Sequence, residues 1–264
     1  AFEDLPMEDV FRTDPPGSCP LSMALRGFDV LVSCFAAGDT RAERRLIELS
    51  GVAEAHFLPI RPQDEDDQHL LDIWARKLGL RPFSRDPVEP WRFRRRLARR
   101  HEPGGGASAS VGDPALVIHP GSGGAAKCWP LERFMEVGRR SGGGVVFVLG
   151  PAECERWTDR TLRRLEVEFS VWRAPSLEAF AALLSPASAY IGNDSGPSHL
   201  AAALGTPTVA IFGPTDPKHF APVGPAVRVL SKPQLSSVSV AEVCEAVAGI
   251  QRTVCAGQTE APNP

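Results

Sequence analysis

The sequence predicts an α/β protein built on parallel, doubly wound sheets and divided into two domains. Short apolar runs alternate with helix-length segments, most clearly from residue 115 onward. Such alternation indicates βαβ units, in which each helix crosses back over the sheet between parallel strands. A glycine- and serine-rich stretch at 103–110 separates the two halves of the chain. We therefore expect one domain at residues 1–112 and a second at 113–264.

The first half contains fewer regular elements than the second. Its opening is rich in proline, which predicts irregular structure there. Asp39 precedes a helical pattern and is expected to cap it, and an acidic run at 64–67 suits the start of another helix. The predicted elements are a short helix near 21–26, strands at 28–33 and 55–58, and helices at 40–50 and 69–80.

A basic amphipathic segment, 91–100, follows these elements and contains six arginines. Such a segment could contact anionic lipid headgroups or a phosphorylated acceptor. It could equally be the solvated face of a helix, and the sequence leaves both interpretations open.

The second half has the regular alternation that defines the fold. Apolar runs that end at glycine or proline predict buried parallel strands, and the amphipathic segments between them predict helices. The predicted strands are 115–119, 144–149, 169–172, 188–191, 206–212 and 227–230. The predicted helices are 131–140, 154–165, 177–184, 199–204 and 240–250.

The chain is organised around residues 190–215, which read YIGNDSGPSHLAAALGTPTVAIFGPT. The pattern predicts a strand, a polar loop, a helix and a second strand, with Pro197 in the first helical turn. Asp194 or Ser195 can cap this helix. A helix N-terminus that follows a strand is a ready site for phosphate, although an ordinary capped turn has the same pattern.

A second motif lies at the end of the strand predicted at 115–119, where residues 117–130 read VIHPGSGGAAKCWP. Its glycines, Gly123 among them, let the backbone approach a ligand, Ser122 adds a hydroxyl, and Lys127 adds a positive charge. A glycine-rich surface loop is the alternative interpretation. Glu153 follows the next strand and could accept hydrogen bonds from ribose hydroxyls, or could simply be an acidic residue at a helix start.

Composition excludes several classes of protein. The formal net charge of −3 gives no sign of a nucleic-acid binder, and no apolar run is long enough to span a bilayer. No secretory signal is visible, so we expect a cytoplasmic protein. The six cysteines form no C-x-x-C pair or zinc pattern. We expect them to be reduced, with a disulfide framework as the less favoured alternative.

The two motifs, with Leu131-Glu132-Arg133-Phe134 and Phe212-Gly213-Pro214-Thr215, resemble glycosyltransferase family 9, the ADP-heptose:lipopolysaccharide heptosyltransferases. The resemblance covers roughly the second half of the chain, and residues 27–33 fit it loosely. It implies a GT-B fold of two Rossmann-like domains. The second domain would bind the nucleotide-sugar donor, and the first, shortened relative to the family, would bind the acceptor.

The resemblance also implies roles for the site residues. Lys127 would contact the donor phosphates, and Ser195 and Gly196 would bind the diphosphate through backbone N–H groups. Asp194 and His199 would lie near the sugar and phosphates. Glu153 would bind ribose, with Glu155 as the fallback. Ser122 and Gly123 complete the donor-binding set, and neither a cofactor nor a metal ion is expected.

The implied reaction is inverting transfer of heptose from ADP-heptose to a hydroxyl of the lipopolysaccharide inner core or another glycan. Two alternatives are a GT-B transferase with another nucleotide-sugar donor and a non-catalytic nucleotide-sugar-binding protein. The family opens with a strand and a Gly-Asp loop that holds the proposed base, and this chain lacks that opening. The base is therefore unassigned: the opening that holds it lies outside this sequence or has been lost, and Asp39, in Gly38-Asp39, is the other candidate. Peripheral contact with the inner membrane through Arg92–Arg100 is a further expectation.

Overall fold

The computed structural model describes residues 6–12, 15–62, 67–81 and 115–258. The chain forms two compact units, residues 1–83 and 84–264. The basic segment 91–100 and the glycine-rich stretch 103–110 lie outside the described residues. The domain boundary expected at residue 112 lies there too and stays a prediction.

The second unit contains a six-stranded parallel sheet in the order β5-β4-β3-β6-β7-β8. This is the strand order of the Rossmann fold, counted from β3, and it reverses direction between β3 and β6. The strands predicted for this half are confirmed, with ends shifted by one or two residues. They are β3 (Leu116–His119), β4 (Val145–Leu149), β5 (Ser170–Arg173), β6 (Tyr190–Asn193), β7 (Thr208–Phe212) and β8 (Val227–Ser231).

Helices cover both faces of this sheet. Side chains alternate along each strand, so Leu116 and Ile118 of β3 pack on one face and Val117 packs on the other. The first face meets α4, α6 and α10, and the second meets α7 and α8. The helices are α4 (Leu131–Arg140), α5 (Pro151–Arg156), α6 (Asp159–Glu168), α7 (Leu177–Leu184), α8 (Gly196–Ala203), α9 (Pro217–Phe220) and α10 (Val240–Gln258).

The helix predicted at 154–165 is wrong in one respect, because the structure has two helices there. The first, α5, already begins at Pro151, and the chain leaves helical geometry at Trp157. The Thr158 hydroxyl then accepts a hydrogen bond from the Thr161 N–H at 3.3 Å and starts α6. A local side-chain cap therefore divides a segment whose apolar pattern is continuous.

The first unit is a smaller parallel α/β layer. Its strands β1 (Val30–Ser33) and β2 (Glu54–Phe57) pair in parallel. Beside them lies a cluster of buried side chains that includes Val10, Leu21, Leu46 and Leu49. The described residues of this unit form helices α1 (Pro20–Leu25), α2 (Thr40–Ser50) and α3 (Leu70–Lys77), and 3-10 turns cover Met7–Phe11 and Pro16–Ser18.

The described residues can be compared with two expectations, one about membrane-spanning segments and one about the state of the cysteines. Within the four described ranges, no helix has the length and apolar character that crossing a bilayer requires. The five cysteines whose side chains are described are all free thiols, which agrees with the expectation of reduced cysteines.

Gly192 provides a test of packing in the central strands. A methyl group at this position in β6 would overlap the Tyr190 hydroxyl and press on Ser198 Oγ. We expect Gly192→Ala to lower the free energy of unfolding by about 1–3 kcal/mol, because overpacking a tight core forces neighbours out of position. Urea denaturation measures this change.

Gly249→Ala is the matched control. A methyl group there meets open space within α10, and alanine favours helix over glycine, so stability should rise by up to about 1 kcal/mol. Equal stability of Gly192→Ala and the wild-type protein would contradict the packing described here.

Candidate functional site

The candidate site lies where the order of the sheet reverses. β3 and β6 are neighbours, and the helices that follow them, α4 and α8, pack on opposite faces. The loops leaving the two strands therefore separate and open a crevice at the carboxyl edge of the sheet. Both sequence motifs lie on these loops, one after His119 and the other after Asn193.

Asn193 joins the two loops. It is the last residue of β6 and is fully buried. Its Nδ2 donates to the carbonyl oxygens of Pro120 at 2.8 Å and Gly121 at 3.2 Å, and its Oδ1 accepts from the Trp129 N–H at 2.9 Å. One carboxamide thus uses both donors and its acceptor to fix the beginning and the end of the glycine loop.

Asp194 makes the second connection between the loops. Its Oδ2 lies 2.7 Å from Lys127 Nζ, and its carbonyl oxygen accepts from Ser122 Oγ at 2.8 Å. The carboxylate is nearly buried, whereas the lysine side chain is 39% exposed. The ion pair therefore holds the partly exposed ammonium group at Asp194, the residue that precedes the N-cap of α8. The structure brings together the two motifs that the sequence analysis treated as one site.

The N-terminus of α8 has no side-chain cap. Ser195 occupies the N-cap position, but its hydroxyl donates to the Asn193 carbonyl at 3.3 Å. Ser195 is thus the N-cap residue, one of the two expected positions, but neither Asp194 nor Ser195 caps the helix with a side-chain hydrogen bond. Asp194 binds Lys127 instead, and Ser195 and Ser198 both bind the Asn193 carbonyl. The exposed Gly196 opens the helix, so its backbone can be approached from solvent.

Glu153 lies beneath the glycine loop. It is 6% exposed, and its Oε2 accepts from the Gly150 N–H at 2.8 Å. Any side chain at Gly121 would overlap its carboxylate, which explains the glycine at that position. Both proposed interpretations of Glu153 fit this geometry, because the residue caps α5 and also faces the crevice loop.

His119 ends β3 beside this carboxylate, with its Nε2 3.7 Å from Glu153 Oε2. It is buried, and burial lowers the pKa of its imidazole against the opposing effect of Glu153. The sequence analysis assigned no role to His119 or to Asn193. The pairing of β3 with β4 brings His119 close to Glu153, and the pairing of β3 with β6 brings Asn193 close to the glycine loop.

The remaining predicted site residues differ in their exposure and in the element that holds them. Gly123 is exposed within the glycine loop, and His199 is half-buried in the first turn of α8. Glu155 is exposed on α5. Asp39 belongs to the first unit, where its Oδ1 caps α2 by accepting from the N–H groups of Arg41 and Ala42 at 3.0 and 3.1 Å.

The crevice is distinct from a cavity elsewhere in the same unit. That cavity, of about 820 Å³, lies along β8 and α10 and is lined by residues such as Val227, Arg228 and Glu245. Gly205, which follows α8, lines it, but none of the predicted site residues does. We place the candidate site at the crevice because the converging charges and backbone groups lie there.

Known proteins place the chain in a family. The model for glycosyltransferase family 9 (heptosyltransferase) matches residues 85–247. Lipopolysaccharide heptosyltransferase 2 of Salmonella typhimurium is 31% identical over 131 residues, which are 47% of this chain and 38% of that protein. The chain thus spans well under half of the length of this curated relative.

Solved structures agree on the fold. The E. coli ADP-heptose lps heptosyltransferase II has a TM-score of 0.63 at 19% identity, covering 89% of this chain and 80% of that one. E. coli heptosyltransferase WaaC with ADP has a TM-score of 0.63 at 21% identity, covering 87% and 76%. The predicted fold class is confirmed.

A more distant structural neighbour is an iron-containing enzyme. The iron-containing heptosyltransferase TibC in complex with ADP-D-β-D-heptose has a TM-score of 0.51 at 15% identity, covering 76% of this chain and 60% of that one. No cluster of three or more His, Cys, Asp or Glu side chains suited to a metal ion occurs within the described parts of this chain.

Since the family model covers more than half of the sequence, the chain belongs to glycosyltransferase family 9.

Proposed function

We propose that this protein is an inverting glycosyltransferase that moves a heptose from ADP-heptose to a sugar hydroxyl of the lipopolysaccharide inner core. The observation that carries the proposal is the convergence of Lys127, Ser122 and the start of α8 on one crevice. The family and the matched relatives support the sugar class. The wider setting, a cytoplasmic enzyme that touches the inner membrane through Arg92–Arg100, is part of the same proposal.

The diphosphate of the donor fits the start of α8. Backbone N–H groups of Ser195 and Gly196, together with the helix dipole, favour an anion there. Lys127 adds an ammonium group, and Asp194 offsets part of its charge while fixing its position. Ser122 and Gly123 would allow the backbone of the loop after β3 to approach the phosphates closely.

The same groups would stabilise the leaving group. In the reaction the acceptor oxygen bonds to the anomeric carbon, the bond from that carbon to the diphosphate breaks, and ADP leaves with the bonding electrons. A preorganised donor aimed at such growing charge contributes roughly 3–4 kcal/mol. Lys127 and α8 supply this stabilisation from the protein itself, so we propose that no obligatory metal ion is needed.

The remaining donor contacts follow from the crevice walls. Glu153 would accept hydrogen bonds from the ribose hydroxyls, with exposed Glu155 as the fallback. His199, on the first turn of α8, would lie near the sugar and phosphates. The acceptor proton requires a base, an effect worth about 10²–10⁴-fold in rate. Asp39 remains the candidate base, although its Oδ1 already caps α2.

Transfer of heptose tests the proposal directly. Incubation of the protein with ADP-heptose and a core oligosaccharide acceptor should release ADP and extend the acceptor by one sugar. Thermal-shift measurements with ADP, UDP and GDP accompany this assay, and ADP should stabilise the protein most. Stabilisation by UDP alone would support a different donor, and ADP binding without transfer would support the non-catalytic alternative.

Replacing Lys127 tests the phosphate site. We expect Lys127→Ala to weaken ADP binding about 10- to 100-fold, because a charge-assisted hydrogen bond contributes roughly 1.5–3 kcal/mol. Isothermal titration calorimetry measures the affinity.

Lys232→Ala is the matched control for that substitution. Lys232 is 37% exposed and lies 2.5 Å from Glu242 Oε1, so its burial and pairing resemble those of Lys127 outside the crevice. Its replacement should leave ADP binding unchanged. Equal affinity of Lys127→Ala and the wild-type protein would remove Lys127 from the site.

Replacing Glu153 tests the ribose contact. Glutamine preserves the acceptor for the Gly150 N–H but removes the charge, so Glu153→Gln should lower ADP affinity about tenfold. Binding of 2′,3′-dideoxy-ADP should be the same in the variant and the wild-type protein, because that nucleotide has no ribose hydroxyls to lose.

Glu155→Gln serves as the comparison on the same helix and should affect neither nucleotide. If Glu155→Gln alone weakens ADP binding, the ribose contact belongs to Glu155. If Glu153→Gln weakens both nucleotides equally, its role is to support the loop.

A further inference from the structure

His119 is a buried, titratable residue at the candidate site, and the proposed function gives it no role. It is the last residue of β3, and the side chains of His119 and Glu153 are each 7% exposed. The 3.7 Å between His119 Nε2 and Glu153 Oε2 is longer than a hydrogen bond. Because both groups are buried, the electrostatic interaction between them is nevertheless stronger than it would be in water.

The carboxylate of Glu153 is enclosed by groups from the ends of two neighbouring strands. The Gly150 N–H, after β4, donates to its Oε2 at 2.8 Å, and His119 Nε2 approaches the same oxygen. Gly121, after β3, borders the other oxygen so closely that a methyl group there would overlap it. A small change in any of these neighbours would therefore move the carboxylate.

The two ring nitrogens of His119 have different surroundings. Nδ1 is buried and has no hydrogen-bond partner among the described residues, whereas Nε2 faces a carboxylate oxygen. Burial lowers the pKa of the imidazole, against the opposing effect of Glu153, so the ring is neutral at pH 7 and has one N–H group. That proton is favoured on Nε2, where it points at the negative charge.

We propose that His119 is a positioning residue for the nucleotide donor, and that its Nε2–H group holds the Glu153 carboxylate where the ribose hydroxyls bind. A neutral N–H group stabilises a buried carboxylate without cancelling its charge, so the carboxylate stays a full hydrogen-bond acceptor for ribose. His119 acts through Glu153, and the inference therefore rests on the ribose contact that is part of the proposed function.

Two amide variants of His119 test this role because they differ in reach. The amide nitrogen of glutamine extends to about the position of Nε2, whereas the shorter asparagine ends near Nδ1. The measured quantity is the ribose preference, the ratio of the dissociation constants of 2′,3′-dideoxy-ADP and ADP in calorimetric titrations of the full chain. We expect His119→Gln to keep the ribose preference of the wild-type protein. His119→Asn should lower it at least about threefold, through weaker binding of ADP alone.

His56→Asn is the matched control. His56 Nε2 lies 2.6 Å from Glu54 Oε1 in the first unit, so this variant breaks a histidine–glutamate pair away from the crevice. It should leave the ribose preference unchanged. Thermal unfolding measures the stability of all three variants, and a role of His119 in stability alone would weaken the binding of both nucleotides equally.

A measurement on the wild-type protein needs no folded variant at position 119. The nitrogen chemical shifts of histidine rings in the ¹⁵N-labelled protein distinguish the two neutral tautomers, and at pH 7 we expect His119 to carry its proton on Nε2. A ring protonated at Nδ1, or equal ribose preference in His119→Gln and His119→Asn, would overturn the inference.

Glu153→Gln separates this outcome from a failure of the proposed function. If Glu153→Gln loses the ribose preference while the two amide variants of His119 behave alike, the ribose contact stands and only the role of His119 is wrong. If Glu153→Gln keeps the preference of the wild-type protein, the ribose contact itself is wrong, and the inference about His119 falls with it.

Discussion

The carboxamide of Asn193 is the contact on which the candidate site depends. Backbone carbonyls and N–H groups of a glycine-rich loop have no regular partners, so such a loop adopts one shape only if side chains supply the missing hydrogen bonds. Asn193 supplies three of them from a fully buried position at the end of β6. The loop after β3 is consequently fixed relative to the start of α8, so the two features that we propose bind phosphate lie at one site.

Charge is arranged around this frame. Lys127 would be a mobile ammonium group without Asp194, and Asp194 would be a nearly buried carboxylate without Lys127. Because burying an unpaired carboxylate is costly, the pair orders both residues at the crevice. Asp194 precedes the N-cap residue Ser195, and the helix end without a side-chain cap is where we propose that the diphosphate binds. The pair of Lys127 and Asp194 thus orders this part of the fold and also belongs to the proposed diphosphate site.

The strands, most helices and the motif residues could be predicted from the sequence because the patterns that indicate them are local. The helices at 131–140 and 177–184 match the structure to the residue, since apolar period and end signals agree there. The break between α5 and α6 was missed because the hydroxyl of Thr158 outweighs a continuous apolar pattern. The role of Asn193 was missed because its partners lie 64 to 73 residues away in sequence. The burial of Glu153 against Gly121 was missed for the same reason, since no local pattern records a contact between two strand ends.

In the proposed complex, both loops hold one diphosphate at once. A crystal structure of the protein with ADP tests this most directly. We expect the diphosphate to lie between Lys127 Nζ and the backbone N–H groups of Ser195 and Gly196, with the Asn193 hydrogen bonds intact. ADP bound in the cavity along β8 and α10, or bound without contact to Lys127 and the start of α8, would contradict the account.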